Sequence, residues 1–215
     1  MLSKLQYISQ GNSIKEQYEN IHRVLDAGCT WIQLRVKDES FDDLITLAEK
    51  TQKLCARYRA TFIVNDYVKV AERVNAHGVH LGLNDMPVAE ARKILGNTKI
   101  IGGTANTLND VIKRYNEKCN YIGLGPLRFT STKKKLSPIL GKEGYKFILN
   151  QLNKLGINTP IYAIGGITIN DVPDLINSGV YGVAVSSALT QEKDITNTVN
   201  EFYSVLNRMI KTEKV

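Results

Sequence analysis

Histidine and cysteine are scarce in this chain, three of each in 215 residues. His22 falls in the first helical stretch, His77 just before a strand and His80 within it, so none stands at a strand exit where a base would meet substrate. His80 reads instead as an interior histidine satisfied by its neighbours. Cys29, Cys55 and Cys119 are odd in number and widely spaced, which argues against a zinc site or a disulfide framework and for reduced packing residues. General-base and covalent catalysis are therefore not expected, whereas electrostatic promotion of a leaving group is. No run approaches the ~18 apolar residues of a membrane span. Met1-Leu2-Ser3-Lys4 lacks the apolar core of a signal peptide. A cytoplasmic protein with no membrane partner is expected. Aromatic ladders are missing too, and the basic residues behind a formal net charge of +7 are spread along the whole chain. That balance suits anionic partners in general, but without a stacking platform nucleic acid is not expected, and phosphorylated small molecules are.

What is present is alternation. Strand candidates at Leu5–Ile8, Trp31–Arg35, Phe62–Val64, Val79–Leu81, Lys99–Gly102, Tyr121–Leu124, Pro160–Ile164 and Val180–Val185 are interleaved with helical spacing, as over Ile14–Ala27, Phe41–Tyr58, Tyr67–Ala76, Leu108–Tyr115 and Ile195–Met209. Gly28 closes the first helix and Pro87 opens the fourth. Such repeats call for a parallel sheet with helices outside. Eight units at roughly 27 residues each predict one compact (β/α)8 TIM barrel, an α/β fold, over residues 1–215 with no linker. A doubly wound open sheet is the second architecture, but it expects a glycine fingerprint after the first strand, and Ser9-Gln10-Gly11-Asn12 matches it poorly. In a barrel the functional groups belong on the loops after the strands.

The stretch from Phe62 to Asp85 organises that expectation. Strands three and four each end in the same pair, Asn65-Asp66 and Asn84-Asp85. Two carboxylates at one end of a sheet repel each other unless a cation sits between them, and a hard divalent ion, Mg²⁺, suits oxygen ligands beside substrate phosphates. The plainer alternative is that each Asp caps the following helix. Gln33, Arg35 and Lys37 alternate at the exit of strand two, one amide and two cations that suit a ring with an anionic tail. Gly165-Gly166 after strand seven and Ser186-Ser187 after strand eight stand where barrels hold a phosphate on backbone N–H groups. The loop from Gly125 to Gly141 is long enough for a lid; in it Lys133 would neutralise a leaving phosphate, and Thr130 and Thr132 would orient a second ligand.

Taken together, Gln33-Leu34-Arg35-Val36-Lys37, Val64-Asn65-Asp66, Gly78-Val79-His80-Leu81-Gly82 with Asp85, Gly125-Pro126, Thr130-Ser131-Thr132-Lys133 and Ala163-Ile164-Gly165-Gly166-Ile167 resemble the thiamine phosphate synthase family. The resemblance implies condensation of 4-amino-2-methyl-5-pyrimidinylmethyl diphosphate with a thiazole phosphate to give thiamine monophosphate and pyrophosphate. It implies Mg²⁺ on Asp66 and Asp85, and the pyrimidine diphosphate on Gln33, Arg35, Lys37, Asn65 and Lys133, with Thr104 near the pyrimidine amino group. Thr130, Ser131 and Thr132 would contact the thiazole partner, and Gly165, Gly166, Ser186 and Ser187 its phosphate. Lys133, Arg35 and Lys37 would carry the catalytic charge. Relatives often have Ser at 104, His at 106, Gln at 83 and an aromatic-Pro pair at 128–129, where this chain has Thr104, Asn106, Leu83 and Arg128-Phe129. Those departures bear on pocket shape more than on the reaction. A sister thiazole tautomerase and a non-catalytic phosphate-binding barrel are the competing readings; retained Asp66, Asp85 and Lys133, with Asn106 where a proton-transfer histidine would stand, oppose the first, and the full set of diphosphate ligands opposes the second. A homo-oligomer is compatible with all three.

Overall fold

In the computed structural model, which describes residues 2–36, 39–129 and 138–208, eight strands close on one another in chain order. They are β1 (Leu5–Ile8), β2 (Trp31–Leu34), β3 (Thr61–Asn65), β4 (Gly78–Leu81), β5 (Ile100–Ala105), β6 (Tyr121–Leu124), β7 (Ile161–Ile164) and β8 (Gly182–Val185). Every neighbouring pair is parallel, and β8 returns to β1 through Leu5↔Val183 and Tyr7↔Val185. Around them lie α1 (Ile14–Asp26), α2 (Phe41–Arg57), α3 (Val68–Arg73), α4 (Val88–Leu95), α5 (Leu108–Asn116), α6 (Gly141–Lys154), α7 (Val172–Asn177), α8 (Ser187–Thr190) and α9 (Ile195–Arg208). This is the expected (β/α)8 barrel.

The helices form where an apolar stripe recurs at 3.6-residue spacing and a capping side chain is at hand. In α1, Ile21, Val24 and Leu25 face the barrel, and Ser13 caps the first turn through the Glu16 amide. In α5, Thr107 and Asp110 form a reciprocal capping box. α6 follows the long loop; the sequence assignment places no helix there, although Tyr145, Ile148, Leu149 and Leu152 carry the buried spacing. Each such side chain, fully buried, contributes about 1.5–3 kcal/mol.

Several boundaries differ from expectation by a residue or more, and three of them bear on the site. α3 stops at Arg73 rather than Ala76, and Asn75 then turns the chain with φ of 51°. Pro87 precedes the first helical residue of α4 instead of occupying it. β5 runs past Gly102 to Ala105, because Gly103, Thr104 and Ala105 continue the ladder against Ile122, Gly123 and Leu124. Thr104 is therefore held by a strand.

The N-terminal end of the barrel is plugged by rings. Trp31 meets Tyr121 and Tyr162 edge-on, each with centroids 4.9 Å apart, and the Tyr162 hydroxyl donates to the Ser3 carbonyl at 2.7 Å. Edge-to-face pairs of this kind add about 0.5–1.5 kcal/mol beyond their burial. With that end filled, the barrel opens on the side where its strands end.

Candidate active site

A cleft of about 420 Å³ occupies that mouth. Its wall carries Gln33, Arg35, Asn65, Asp66, Asp85, Thr104, Gly165, Gly166, Ser186 and Ser187, so ten of the residues singled out from the sequence converge on one cavity. Lys37, Thr130, Ser131, Thr132 and Lys133, and with them the lid expectation, lie outside the described residues.

β3 delivers Asn65 and Asp66. The Asp66 amide donates to the His80 carbonyl at 2.8 Å, extending the β3–β4 ladder by one bond, and the backbone then turns left-handed with φ of 64°. That conformation costs a non-glycine residue on the order of 1 kcal/mol, and such strain concentrates at functional sites. Asp85 arrives differently from the sequence expectation. β4 ends at Leu81, so Asn84-Asp85 is no strand end; a turn through Gly82 brings Asp85 back, and the Gly82 amide donates to its Oδ2 at 2.5 Å. Neither carboxylate caps a helix: Tyr67 and Pro87 hold the N-cap positions of α3 and α4, and neither position has a side-chain capping bond. The capping alternative thus fails.

Both carboxyls line the same cleft, and Asp85 is near enough to act on Asp66. Burial, then the Asp85 hydrogen bond and charge, push the Asp66 carboxyl up to about 7, against the opposing pull of Arg35 and Asn65. Two carboxyl side chains lining one cleft are a donor set for a hard divalent cation. Among the described residues no group of three or more His, Cys, Asp or Glu forms a metal cluster.

Gln33 supplies the recognition edge. Only 2% exposed, it donates through Nε2 to Asn65 Oδ1 at 2.9 Å, while its Oε1 has no partner among the described residues. A buried acceptor left open costs about 1–3 kcal/mol, which a ligand amino group would recover. Arg35 follows on the same side. Burial lowers its pKa and the Asp66 charge opposes that, and its main chain is fixed by Ser9 Oγ and Gln17 Nε2 at 2.9 and 3.1 Å.

Thr104 and His80 form the floor. His80 Nε2 stands 3.0 Å from Thr104 Oγ1 and Nδ1 stands 3.0 Å from the Tyr121 hydroxyl, which also accepts from Gln6 Nε2 at 3.3 Å. His80 is therefore the satisfied interior histidine expected, yet it also lines the cleft. The β-period signals this, since His80 shares its strand face with Gly82, and Gly82 reaches the mouth.

On the opposite wall, Gly165 and Gly166 both have positive φ, 90° and 69°. A Cβ on Gly166 would come within 2.4 Å of Arg128 Cγ. The glycine is thus required by its neighbour's packing as well as by its backbone, a reason the sequence did not reveal. Arg128 Nη1 donates to the Gly166 carbonyl at 2.6 Å, and the same guanidinium forks onto Asp171 at 2.7 and 2.6 Å. Burial alone would raise the Asp171 carboxyl, but the Arg128 fork and the Thr168 amide and hydroxyl outweigh it and hold it at about 2. Arg128 braces the glycine loop from behind. The Thr168-x-x-Asp171 spacing of a capping box was the available signal for Asp171. Asn106 donates to the Gly125 carbonyl, tying the ends of β5 and β6 together. Ser186 carries a buried hydroxyl with no partner among the described residues.

Residues 5–189 match the family model described as thiamine monophosphate synthase. This chain belongs to the thiamine monophosphate synthase family. It is 56% identical over 194 residues to a thiamine-phosphate synthase of Flavobacterium psychrophilum, covering 90% of this chain and 94% of the relative. It is 44% identical over 207 residues to one of Bacteroides fragilis, covering 96% and 100%. The solved thiamine phosphate pyrophosphorylase of Pyrococcus furiosus superposes with a TM-score of 0.82 at 29% identity over 95% of this chain and 96% of its own. A thiamine monophosphate synthase is a transferase of thiamine biosynthesis working on small molecules, and among the described residues no helix is long and apolar enough to cross a membrane.

Proposed function

We propose that the cleft joins 4-amino-2-methyl-5-pyrimidinylmethyl diphosphate to thiazole phosphate, or its carboxylated form, giving thiamine monophosphate and pyrophosphate. The observation that carries this reading is the meeting, within one cleft, of the open Gln33 acceptor, the Arg35 cation and the mutually repelling Asp66 and Asp85 carboxyls. Gln33 Oε1 and the Thr104 hydroxyl would receive the pyrimidine amino edge, and Arg35, with Lys37 and Lys133, would hold the diphosphate. Asp66 and Asp85 fit Mg²⁺, which when bound would neutralise diphosphate charge and ease departure of the leaving group.

In the dissociative course, the bond between the pyrimidinylmethyl carbon and the diphosphate oxygen breaks with its electron pair leaving on oxygen. The thiazole nitrogen lone pair then forms the new C–N bond. No proton has to be removed for that attack, which agrees with a cleft whose histidine is already engaged by Thr104 and Tyr121. The residues' task is to orient both rings and stabilise charge that grows on the leaving oxygens. Backbone amides at Gly166, Ser186 and Ser187 would take the thiazole phosphate.

Calorimetry tests the substrate assignment. The pyrimidine diphosphate should bind with Mg²⁺ and lose at least about tenfold affinity in EDTA, whereas thiazole phosphate should bind equally in both. Equal diphosphate binding with and without metal would contradict the assignment of Asp66 and Asp85.

A further inference from the structure

Beneath the cleft, α5 sends Arg114 inward, where it is only 2% exposed. Nε donates to the Thr104 carbonyl at 3.1 Å, and Nη2 to the Gly82 carbonyl at 2.7 Å and the Leu81 carbonyl at 3.4 Å. Nη1 pairs with Glu117 at 2.8 Å. A Cβ on Gly103 would lie 2.6 Å from Arg114 Cδ, so the chain leaves a side chain out of β5 to let this one through. Burying a guanidinium costs several kcal/mol before its partners offset it. An apolar residue on the same helix face would fill the space without that cost, so the charge is placed here for what it holds.

What it holds are the two strand exits on the diphosphate side. The Gly82 residue whose carbonyl Arg114 fixes is the one whose amide binds Asp85 Oδ2. The Thr104 whose carbonyl it fixes is the one whose hydroxyl faces His80. We propose that Arg114 is a positioning residue: by gripping the carbonyls of Leu81, Gly82 and Thr104 with one guanidinium, it sets the Asp85 turn and the Thr104 hydroxyl in register for the cation and the pyrimidine diphosphate. This rests on the function proposed above for Asp85 and Thr104. The thiazole wall, built from the exits of β7 and β8, receives nothing from Arg114.

Three variants and two readouts test it. Arg114→Lys keeps charge and most of the volume but cannot fork across β4 and β5; Arg114→Met removes the charge; Glu117→Gln removes only the ion pair. Without metal or substrate, amide hydrogen exchange at Gly82 and Asp85 should quicken in Arg114→Lys relative to amides elsewhere in the barrel. In turnover, the half-saturating Mg²⁺ concentration and the KM for the pyrimidine diphosphate should each rise about 10–100-fold, with the KM for thiazole phosphate held within about twofold. Glu117→Gln should match wild type in both kinetic readouts. If Arg114→Met fails to fold, Arg114→Lys carries the test alone. Unchanged exchange and Mg²⁺ demand in folded Arg114→Lys would overturn the proposal, as would parallel rises in both substrates' KM or a loss in Glu117→Gln equal to that in Arg114→Lys. Should the wild type form no thiamine monophosphate, the proposed function fails, and the exchange readout still decides whether Arg114 holds the turn.

Discussion

Replacing Arg128 with Met keeps the aliphatic stem that packs against Gly166 and removes the fork onto Asp171. The magnitude follows from the carboxyl: held at about 2 against an ordinary 3.8, it represents about 2.5 kcal/mol of folded-state preference for the ionised form. Thr168 supplies part of that, and the Arg128 side chain is 45% exposed. Solvent screening therefore leaves about 1–2 kcal/mol for Arg128 itself. At pH 7 the variant should lose that much in urea unfolding, with a Tm lower by roughly 2–8 °C. The sign with pH is fixed. A depressed carboxyl stabilises the fold above its unfolded value, so the gap between wild type and Arg128→Met should be full above about pH 5. It should shrink as pH falls from 3.8 toward about 2. In turnover at pH 7, the freed Gly166 carbonyl should let the glycine loop relax, raising the KM for thiazole phosphate and leaving that for the pyrimidine diphosphate alone. A stability gap that persists unchanged at pH 2.5 would refute the ion-pair reasoning, and an unaltered thiazole phosphate KM would refute the brace.

Other outcomes are expected from the same site. Asp66→Ala or Asp85→Ala should each lower kcat/KM by several kcal/mol of transition-state stabilisation, and EDTA should do the same to wild type; full turnover in metal-free buffer would contradict this. Gln33→Leu removes the open acceptor and should raise the pyrimidine diphosphate KM by about 1–2 kcal/mol, measured by initial rates, with no change in the thiazole partner. Gly166→Ala adds a Cβ 2.4 Å from Arg128 Cγ and strains a left-handed residue, so calorimetry should show weaker thiazole phosphate binding while the diphosphate binds normally. Lys133→Ala should depress kcat far more than it weakens binding, because charge on the diphosphate grows as its bond breaks; Lys134→Ala and Lys135→Ala should have small, salt-screened effects.

The barrel and one wall of its cleft were legible because they depend on local signals. Alternating apolar runs and 3.6-residue stripes report burial directly, so each of the eight strands overlaps its expected segment, although β5 runs on to Ala105. The paired Asp66 and Asp85 stood out because carboxylates at strand exits oppose burial, even though Asp85 reaches the site through a turn and not from a strand end. What stayed hidden was cooperation between distant residues. Arg128 and Asp171 are 43 positions apart, and Arg114 lies 32 positions from the Gly82 carbonyl it holds. Arg114 did leave a trace: it follows Leu108 and Val111 at helical spacing, on the face that should be apolar. A charge there has either to be partnered or to be absent, and only the fold shows the partners.

The central claim is that this cleft makes a C–N bond as pyrophosphate departs. Phosphorus NMR of the purified protein with 4-amino-2-methyl-5-pyrimidinylmethyl diphosphate, thiazole phosphate and Mg²⁺ follows all the phosphorus species in one tube. Pyrophosphate and thiamine monophosphate should appear together in equal amounts, and neither should form when EDTA is added or when Asp85 is changed to Ala. Pyrophosphate released without thiamine monophosphate, or no change in either substrate, would contradict the account.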